Sequence, residues 1–463
     1  MNDIEDFVPL NAHNQVAARS YNRLVLCFEI DNDRKPDAVA HLKTSASGLG
    51  QTCPVLRSLL KVSEPVALVS QAAHNEIPVE VYHIENTFGY RYSDLKLQGF
   101  PASAFVHDVF GFDLGSTAHA IIFRIYLLDG GLILGLHLHH SFGDGHAMDT
   151  VARWLSAQTR GAMNDKEPVH ITKPLCDIDY EGDIPGSKLV KSDKLRKNVP
   201  ERKLSNPSYI SPPTEKSTGK IFFLNIKKLS ALQDSIAEAN RTERPSSTVV
   251  LAALIWAHVT KARLGTCKGE TTATNKQPRL FITVDIRNRA FSAIDRNRYF
   301  GNATELPFAK IGTSNLLKIC GEAAEPGVAL AEKLNPVVQC IQDAIKQVDV
   351  RYVAKRQELY AALSDPRKLV FDHEPADKYD LIFNSWRYIG TGVEQKWSIP
   401  GVSSSYPDSL RRAGDSWNCP AIVIMPTTPG SQDLELLITL EERAMELLLD
   451  DDDFMKCVRL VSD

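Results

Sequence analysis

A chain of 463 residues has room for two or three domains of about 150 residues or more. With 43% apolar and 24% charged residues it can bury a substantial core, which excludes the disordered, fibrous and collagenous classes. Lysine plus arginine (53) nearly balance aspartate plus glutamate (57), and the net charge of -4 gives no general attraction to nucleic acid or acidic membranes.

The opening MNDIEDFVPL is acidic and lacks a basic segment leading into an apolar run. The longest apolar stretch, 249–257, is too short to span a bilayer, so a cytoplasmic protein without membrane contact is expected. In chain order, apolar runs predict strands at 24–30, 120–128 and 132–140, and helical periodicity predicts helices at 39–49 and 146–159. Between Glu181 and Lys220, prolines interleave with lysines and arginines and the apolar period fades. That texture predicts a solvated crossover linker, basic enough to touch an anionic ligand. The expected units are therefore an N-terminal domain over 1–185, a linker over 186–217 and a C-terminal domain over 218–463. In the second half a strand is expected at 220–226 and a helix at 228–240. Ser246 and Ser247 precede 248–263, whose mixed small and large apolar residues predict a buried, serine-capped helix. Strands at 279–286, 421–426 and 434–442 and a terminal helix over 442–460 complete a two-domain mixed α/β architecture. The eight cysteines stand at least 20 residues apart, which predicts reduced, mostly buried thiols and no local redox pair or cysteine zinc site.

The densest chemistry lies in GLHLHHSFGDGHAMD, where His137, His139, His140 and His146 fall within ten residues, beside Asp144. With the period of two of a strand, Leu132, Leu134, Leu136, Leu138 and His140 share one face, and Ile133, Gly135, His137 and His139 share the other. His140 thus ends an apolar face, just before a glycine-bearing turn, Ser141 to Gly145, into a helix. An imidazole with an ordinary pKa near ~6.5 can accept a proton at cellular pH, which suits His140 to general-base work. Asp144 could cap the helix, brace the turn through an ion pair or orient the histidine. Two other readings stand beside this one: a zinc site of His137, His139 and Asp144, which lacks the HExxH spacing, and a buried structural histidine pair.

His140-Ser141-Phe142-Gly143-Asp144-Gly145 resembles the HxxxDG signature of the BAHD family of CoA-dependent acyltransferases. With His139 it also matches the HHxxxDG form of chloramphenicol acetyltransferase and peptide-synthetase condensation domains. Further segments follow in the family's order: Ser247-Thr248 with Trp256 and Arg263, then Val284 to Arg289, then Tyr299-Phe300-Gly301-Asn302-Ala303. Asn384-Ser385-Trp386-Arg387 is similar to the family's (S/T)SW segment, and Met445, Leu448 and Phe454 close the series. The family's DFGWG motif departs here to Glu394-Gln395-Lys396-Trp397-Ser398-Ile399-Pro400, which puts that loop and its CoA contacts in doubt.

The resemblance implies two chloramphenicol-acetyltransferase-like mixed-sheet domains with a solvent channel between them, acyl-CoA entering one side and an alcohol the other. It implies His140 as general base, Gly143 and Gly145 as supports, and Arg287 as the ion-pair partner of Asp144. Asn384, Ser385 and Trp386 would position the substrate or stabilise its oxyanion, and Ser247, Thr248 and Trp397 would touch CoA. The implied activity is acetyl transfer from acetyl-CoA, as co-substrate, to a hydroxyl of a fungal secondary metabolite, in the manner of trichothecene 3-O-acetyltransferase-like enzymes. Neither a bound cofactor nor a metal is expected, and a monomer is. The alternatives are a condensation-type domain acting on carrier-protein thioesters and a catalytically silent binding protein of the same fold.

Overall fold

A computed structural model of the protein describes residues 7–70, 76–112, 115–163, 194–205, 215–267, 276–290, 299–321, 328–417 and 419–461. Two large mixed sheets organise it. The first has the strand order Ser409–Arg412, Tyr21–Glu29, Gly131–His139, Ile121–Leu128, Val79–His83. Its centre is the antiparallel hairpin Ile121–Leu128/Gly131–His139, every residue of which is buried. Alternation divides that burial between two layers. Leu24, Leu26, Leu134 and Leu136 pack under helices Lys35–Thr52 and Gly145–Thr159, while Val25, Cys27 and Ile133 face Phe88, Phe105 and Phe110.

The second sheet has the order Phe308–Lys310, Arg279–Ile282, Asp380–Ser385, Ala421–Ile424, Asp433–Glu441, Ser217–Asn225, Arg459–Leu460. Against it lie helices Ile226–Asn240, Ser247–Gly265, Val328–Lys346 and Glu442–Leu449. Ser247–Gly265 is apolar on all sides and accordingly buried along its length, with Trp256 fully enclosed; Ser246 caps it by accepting a hydrogen bond from the Val249 N–H.

Several sequence expectations change in detail. The 279–286 strand breaks at Thr283, and Arg287 begins a short helical turn, Arg287–Ala290. The terminal helix is two helices, Glu442–Leu449 and Asp452–Cys457, followed by strand Arg459–Leu460. Of the expected linker, 194–205 is docked rather than solvated. Arg202–Leu204 pairs with Leu369–Phe371, the Arg202 guanidinium lies 3.7 Å from the Phe371 ring centre, and buried Glu201 grips Arg356 at 2.5 and 2.8 Å. Most of the rest of that stretch, with Cys176, lies outside the described residues. Cys27 and Cys53 are buried, whereas Cys267, Cys320, Cys340, Cys419 and Cys457 are only partly so. Among the described residues no helix is long and apolar enough to cross a membrane.

The two sheets are laced together by the C-terminal half. After Asp380–Ser385 the chain crosses to the first sheet, where Ile389, Trp397, Ile399 and Leu410 join its core, and Ser409–Arg412 pairs antiparallel with Tyr21–Glu29.

Candidate active site

The site is built where strand Gly131–His139 turns into helix Gly145–Thr159. The Phe142 and Gly143 N–H groups both donate to the His139 carbonyl, at 2.8 and 3.2 Å, which closes the bend. A Cβ on Gly143 would stand 2.4 Å from the Cβ of Ala147, so only glycine lets the turn lie this close to the helix. Asp144 is the N-cap: its Oδ1 accepts from the His146 and Ala147 N–H groups at 3.1 and 3.2 Å. His140 stands at the junction with its main chain held on both sides. Its N–H donates to the Ser20 carbonyl (2.7 Å), and its carbonyl accepts from Asn302 Nδ2 (2.7 Å). The residue is half-buried; of its ring nitrogens, Nδ1 is buried without a hydrogen-bond partner and Nε2 is not.

Asp144 is saturated. Besides capping the helix, it takes two hydrogen bonds from Arg287, at 3.0 and 3.1 Å, and one from the Ala303 N–H at 2.9 Å. Burial would raise its pKa, but the Arg287 charge, the Arg287 hydrogen bonds and the Ala303 N–H prevail and hold it below the usual carboxylate value. Arg287 is correspondingly raised: burial works against its charge, and the Asp144 carboxylate outweighs it. The guanidinium also reaches Asp285 (3.2 Å) and the Gly301 carbonyl (2.8 Å). Gly301 has φ +149°, and a Cβ there would lie 2.7 Å from the Tyr299 hydroxyl, so this turn too requires glycine.

His137 and His139 occupy the opposite face of the strand from Leu138. His137 packs on Phe112 with ring centres 5.8 Å apart, and His139 meets Tyr21 edge-on at 5.1 Å. His139 Nδ1 accepts from the Ser141 N–H, and, with Asp144 fully engaged, the three residues weighed for zinc have separate structural duties. Among the described residues no three His, Cys, Asp or Glu side chains converge as metal ligands. Burial, with the nearby His140 and Arg19 charges, pushes the His139 pKa down to about 3, and burial, with the Arg124 and Arg23 charges, pushes that of His137 well below its ordinary value. Both are thus neutral in the folded protein, whereas in the unfolded chain they protonate near ~6.5.

Stability should consequently be complete above about pH 6.5 and fall as pH drops from there toward 4.5, where carboxylates begin to contribute. Each such histidine adds up to about 1.4 kcal/mol per pH unit to that slope. Denaturant titrations at pH 7.0, 6.0 and 5.0 should show the decline, and His139→Gln should make it shallower by about one proton. An unchanged slope would mean that His139 is charged or solvated in the native state.

The other candidate residues lie on the segment that crosses between the sheets. Asn384 and Ser385 end strand Asp380–Ser385, with Asn384 Oδ1 accepting from the Ser385 N–H (2.8 Å) and Ser385 exposed. Trp386 is half-buried between cores of the two sheets, its N–H on the Ile424 carbonyl at 2.8 Å. Among the described residues no hydrogen bond joins Asn384, Ser385 or Trp386 to His140. The segment nevertheless wraps the helix that follows His140: Ile389 packs over Gly145, and Asp149 accepts from the Gly390 N–H (2.9 Å) and from Gln395 Nε2 (2.7 Å). Ser247, half-buried like its neighbour Thr248, receives Arg387 Nη1 at 3.3 Å. Trp397 does not join this group. It is 3% exposed, edge-on to Phe28 at 5.8 Å, so its ring fills the first core and is not presented to a ligand.

Asn11 to Gln15 belong to none of the sequence motifs. The structure puts Asn11, His13, Asn14 and Gln15 in the interior, with His13 Nε2 on Glu305 (3.0 Å) and Asn14 on Asn302. A short run of polar residues carries no local signal for this. The contacts span some 290 residues of sequence.

Comparison with known proteins identifies the family and the fold. The Transferase family model matches residues 117–455, well over half of the chain. Acyltransferase easC of Emericella nidulans is 25% identical over 287 residues, 56% of this chain and 59% of that protein; the match thus spans less than two thirds of that relative. Trichothecene 8-O-acetyltransferase of Fusarium sporotrichioides is 22% identical over 395 residues, 78% of this chain and 77% of that one. The crystal structure of F. graminearum TRI101 with coenzyme A and deoxynivalenol shares the fold at a TM-score of 0.76 with 16% identity, covering 98% of this chain and all of that one. The family and fold implied by the order of motifs are therefore the ones found, and the chain belongs to the Transferase family, the BAHD-type acyltransferases.

Proposed function

We propose that the protein transfers an acetyl group from acetyl-CoA to a hydroxyl of a fungal secondary metabolite, with His140 as general base. The observation that carries this reading is the setting of His140: its main chain is fixed from two sides, Nδ1 is buried, and Nε2 is the ring nitrogen that is not. In the proposed reaction Nε2 takes the hydroxyl proton as the oxygen attacks the thioester carbonyl. The tetrahedral intermediate then expels the CoA thiolate, and the proton returns to sulfur, giving ester and free CoA without an acyl-enzyme. Trp386, whose indole can only donate, and the Asn384 amide are the proposed donors to the oxyanion, with Ser385 beside them. Ser247, tied to the crossing segment through Arg387, and its neighbour Thr248 are proposed to meet CoA. Asp144, Arg287, Gly143 and Gly145 serve as framework.

The coenzyme A and deoxynivalenol bound to TRI101 support a CoA thioester and a polycyclic alcohol as the substrate pair. A monomer in the cytoplasm fits this role. Purified protein incubated with acetyl-CoA and a panel of terpenoid, alkaloid and polyketide alcohols should release free thiol and give products heavier by one acetyl group. Transfer only from a carrier-protein thioester would replace the reading with a condensation-type reaction, and no transfer from any thioester would leave a silent fold.

A further inference from the structure

The carbonyl of His140 is held by a relay that starts far away in sequence. Asn302, 4% exposed, donates from Nδ2 both to the His140 carbonyl (2.7 Å) and to Asn14 Oδ1 (2.9 Å), using its two amide hydrogens. Asn14, fully buried, accepts with that same Oδ1 from the Asn302 main-chain N–H at 2.7 Å. The Tyr299 hydroxyl donates to the Asn302 carbonyl (3.0 Å) and accepts from Asn11 Nδ2 (3.0 Å). On either side of Asn302, the Gly301 carbonyl accepts from Arg287 and the Ala303 N–H donates to Asp144. The turn 299–303 thus touches both the peptide of the histidine and the ion pair that anchors the following helix, while Asn11 and Asn14 lock it from behind.

From this juxtaposition we infer that Asn302 and Asn14 are positioning residues for acetyl transfer: the paired amides fix the His140 carbonyl, and through it the direction in which the imidazole points. The inference rests on the reading of His140 as the base. Its physical ground is the sensitivity of proton transfer to placement, since a shift of about 1 Å in a reacting group can cost on the order of 10²-fold. An amide is required at 302 because both of its Nδ2 partners are oxygen acceptors. A carboxylate of the same shape would set oxygen against oxygen.

Asn302→Asp should therefore lower kcat by about 10- to 100-fold with KM for acetyl-CoA changed less than about twofold. Asn14→Leu, which removes the accepting oxygen, should lose a similar amount. In a His140→Ala background, Asn302→Asp should change the residual rate by less than about twofold, because a positioning residue acts only through the group it positions. A purely structural role would lower the rate in both backgrounds. Independently of turnover, carbethoxylation of His140 by diethyl pyrocarbonate, followed by mass spectrometry, should quicken several-fold in Asn302→Asp as the ring loosens and Nδ1 opens to solvent. Wild-type kcat and wild-type carbethoxylation in Asn302→Asp would overturn the inference while leaving the base assignment intact. Full turnover by His140→Ala would overturn the base assignment itself.

Discussion

His140→Ala should reduce acetyl transfer by at least about 10²- to 10⁴-fold while the protein keeps its fold and its affinity for CoA. The change is clean because both hydrogen bonds at this position belong to the main chain. Alanine retains the N–H that donates to Ser20 and the carbonyl that accepts from Asn302. The residue is partly exposed, so alanine removes less packing here than at a fully buried ring. His139→Ala provides the contrast: that ring is buried against Tyr21, and its removal should lower the melting temperature more than His140→Ala does and turnover less. Thiol release, equilibrium CoA binding and thermal melts on the two variants separate these effects. Near-wild-type turnover in His140→Ala would remove the general base from the mechanism.

The second large effect concerns stability. Asp144→Ala removes the buried partner of the Arg287 guanidinium, 4% exposed, leaving it only Asp285 and the Gly301 carbonyl, and removes the cap of the Gly145–Thr159 helix. Breaking one side of a buried pair costs about 3–5 kcal/mol, and loss of a cap adds about 1 kcal/mol. Arg287→Met should cost a similar amount, because it leaves the buried carboxylate with main-chain donors only. The double variant Asp144→Ala/Arg287→Met removes both charges and should recover part of the loss, though not the share due to the cap. Denaturant midpoints of the four proteins measure this directly. If the double variant is as unstable as the sum of the single ones, the two groups do not act as a pair. If Asp144→Ala melts like wild type and only shifts the pH profile of turnover, Asp144 tunes the base and is not a brace.

What could be read in the sequence was what local period and local chemistry encode. Alternation in 132–140 placed His140 at the end of an apolar face, and Ser246 marked the start of the buried helix, because both signals lie within a few residues of their effect. The pairing of Arg287 with Asp144 came from resemblance, since no spacing predicts a contact across 143 residues. Trp397 shows the opposite failure. The resemblance implies a CoA contact there, but the size that makes tryptophan a good binding surface makes it an equally good core side chain, and at 3% exposure the ring lies in the core. Helix Val328–Lys346 carries an apolar stripe of Leu330, Leu334, Val337, Val338 and Ile341, but Pro336 interrupts it and argues locally against a helix. The buried asparagines were unreadable in principle, because their desolvation is compensated by partners that only the tertiary fold supplies.

The return of strand Ser409–Arg412 to the edge of the first sheet also constrains how the chain is made. When the central hairpin leaves the ribosome, the strand that will cover the outer edge of Tyr21–Glu29 has still to be translated, and at about 5–20 residues per second the wait is roughly 14–54 s. Throughout that interval an apolar strand offers unpaired N–H and C=O groups to any other nascent chain. Recombinant expression should therefore be sensitive to chaperone supply and to translation speed over 140–408. A fragment ending near residue 217 should aggregate, because the strand that caps it lies in the part removed.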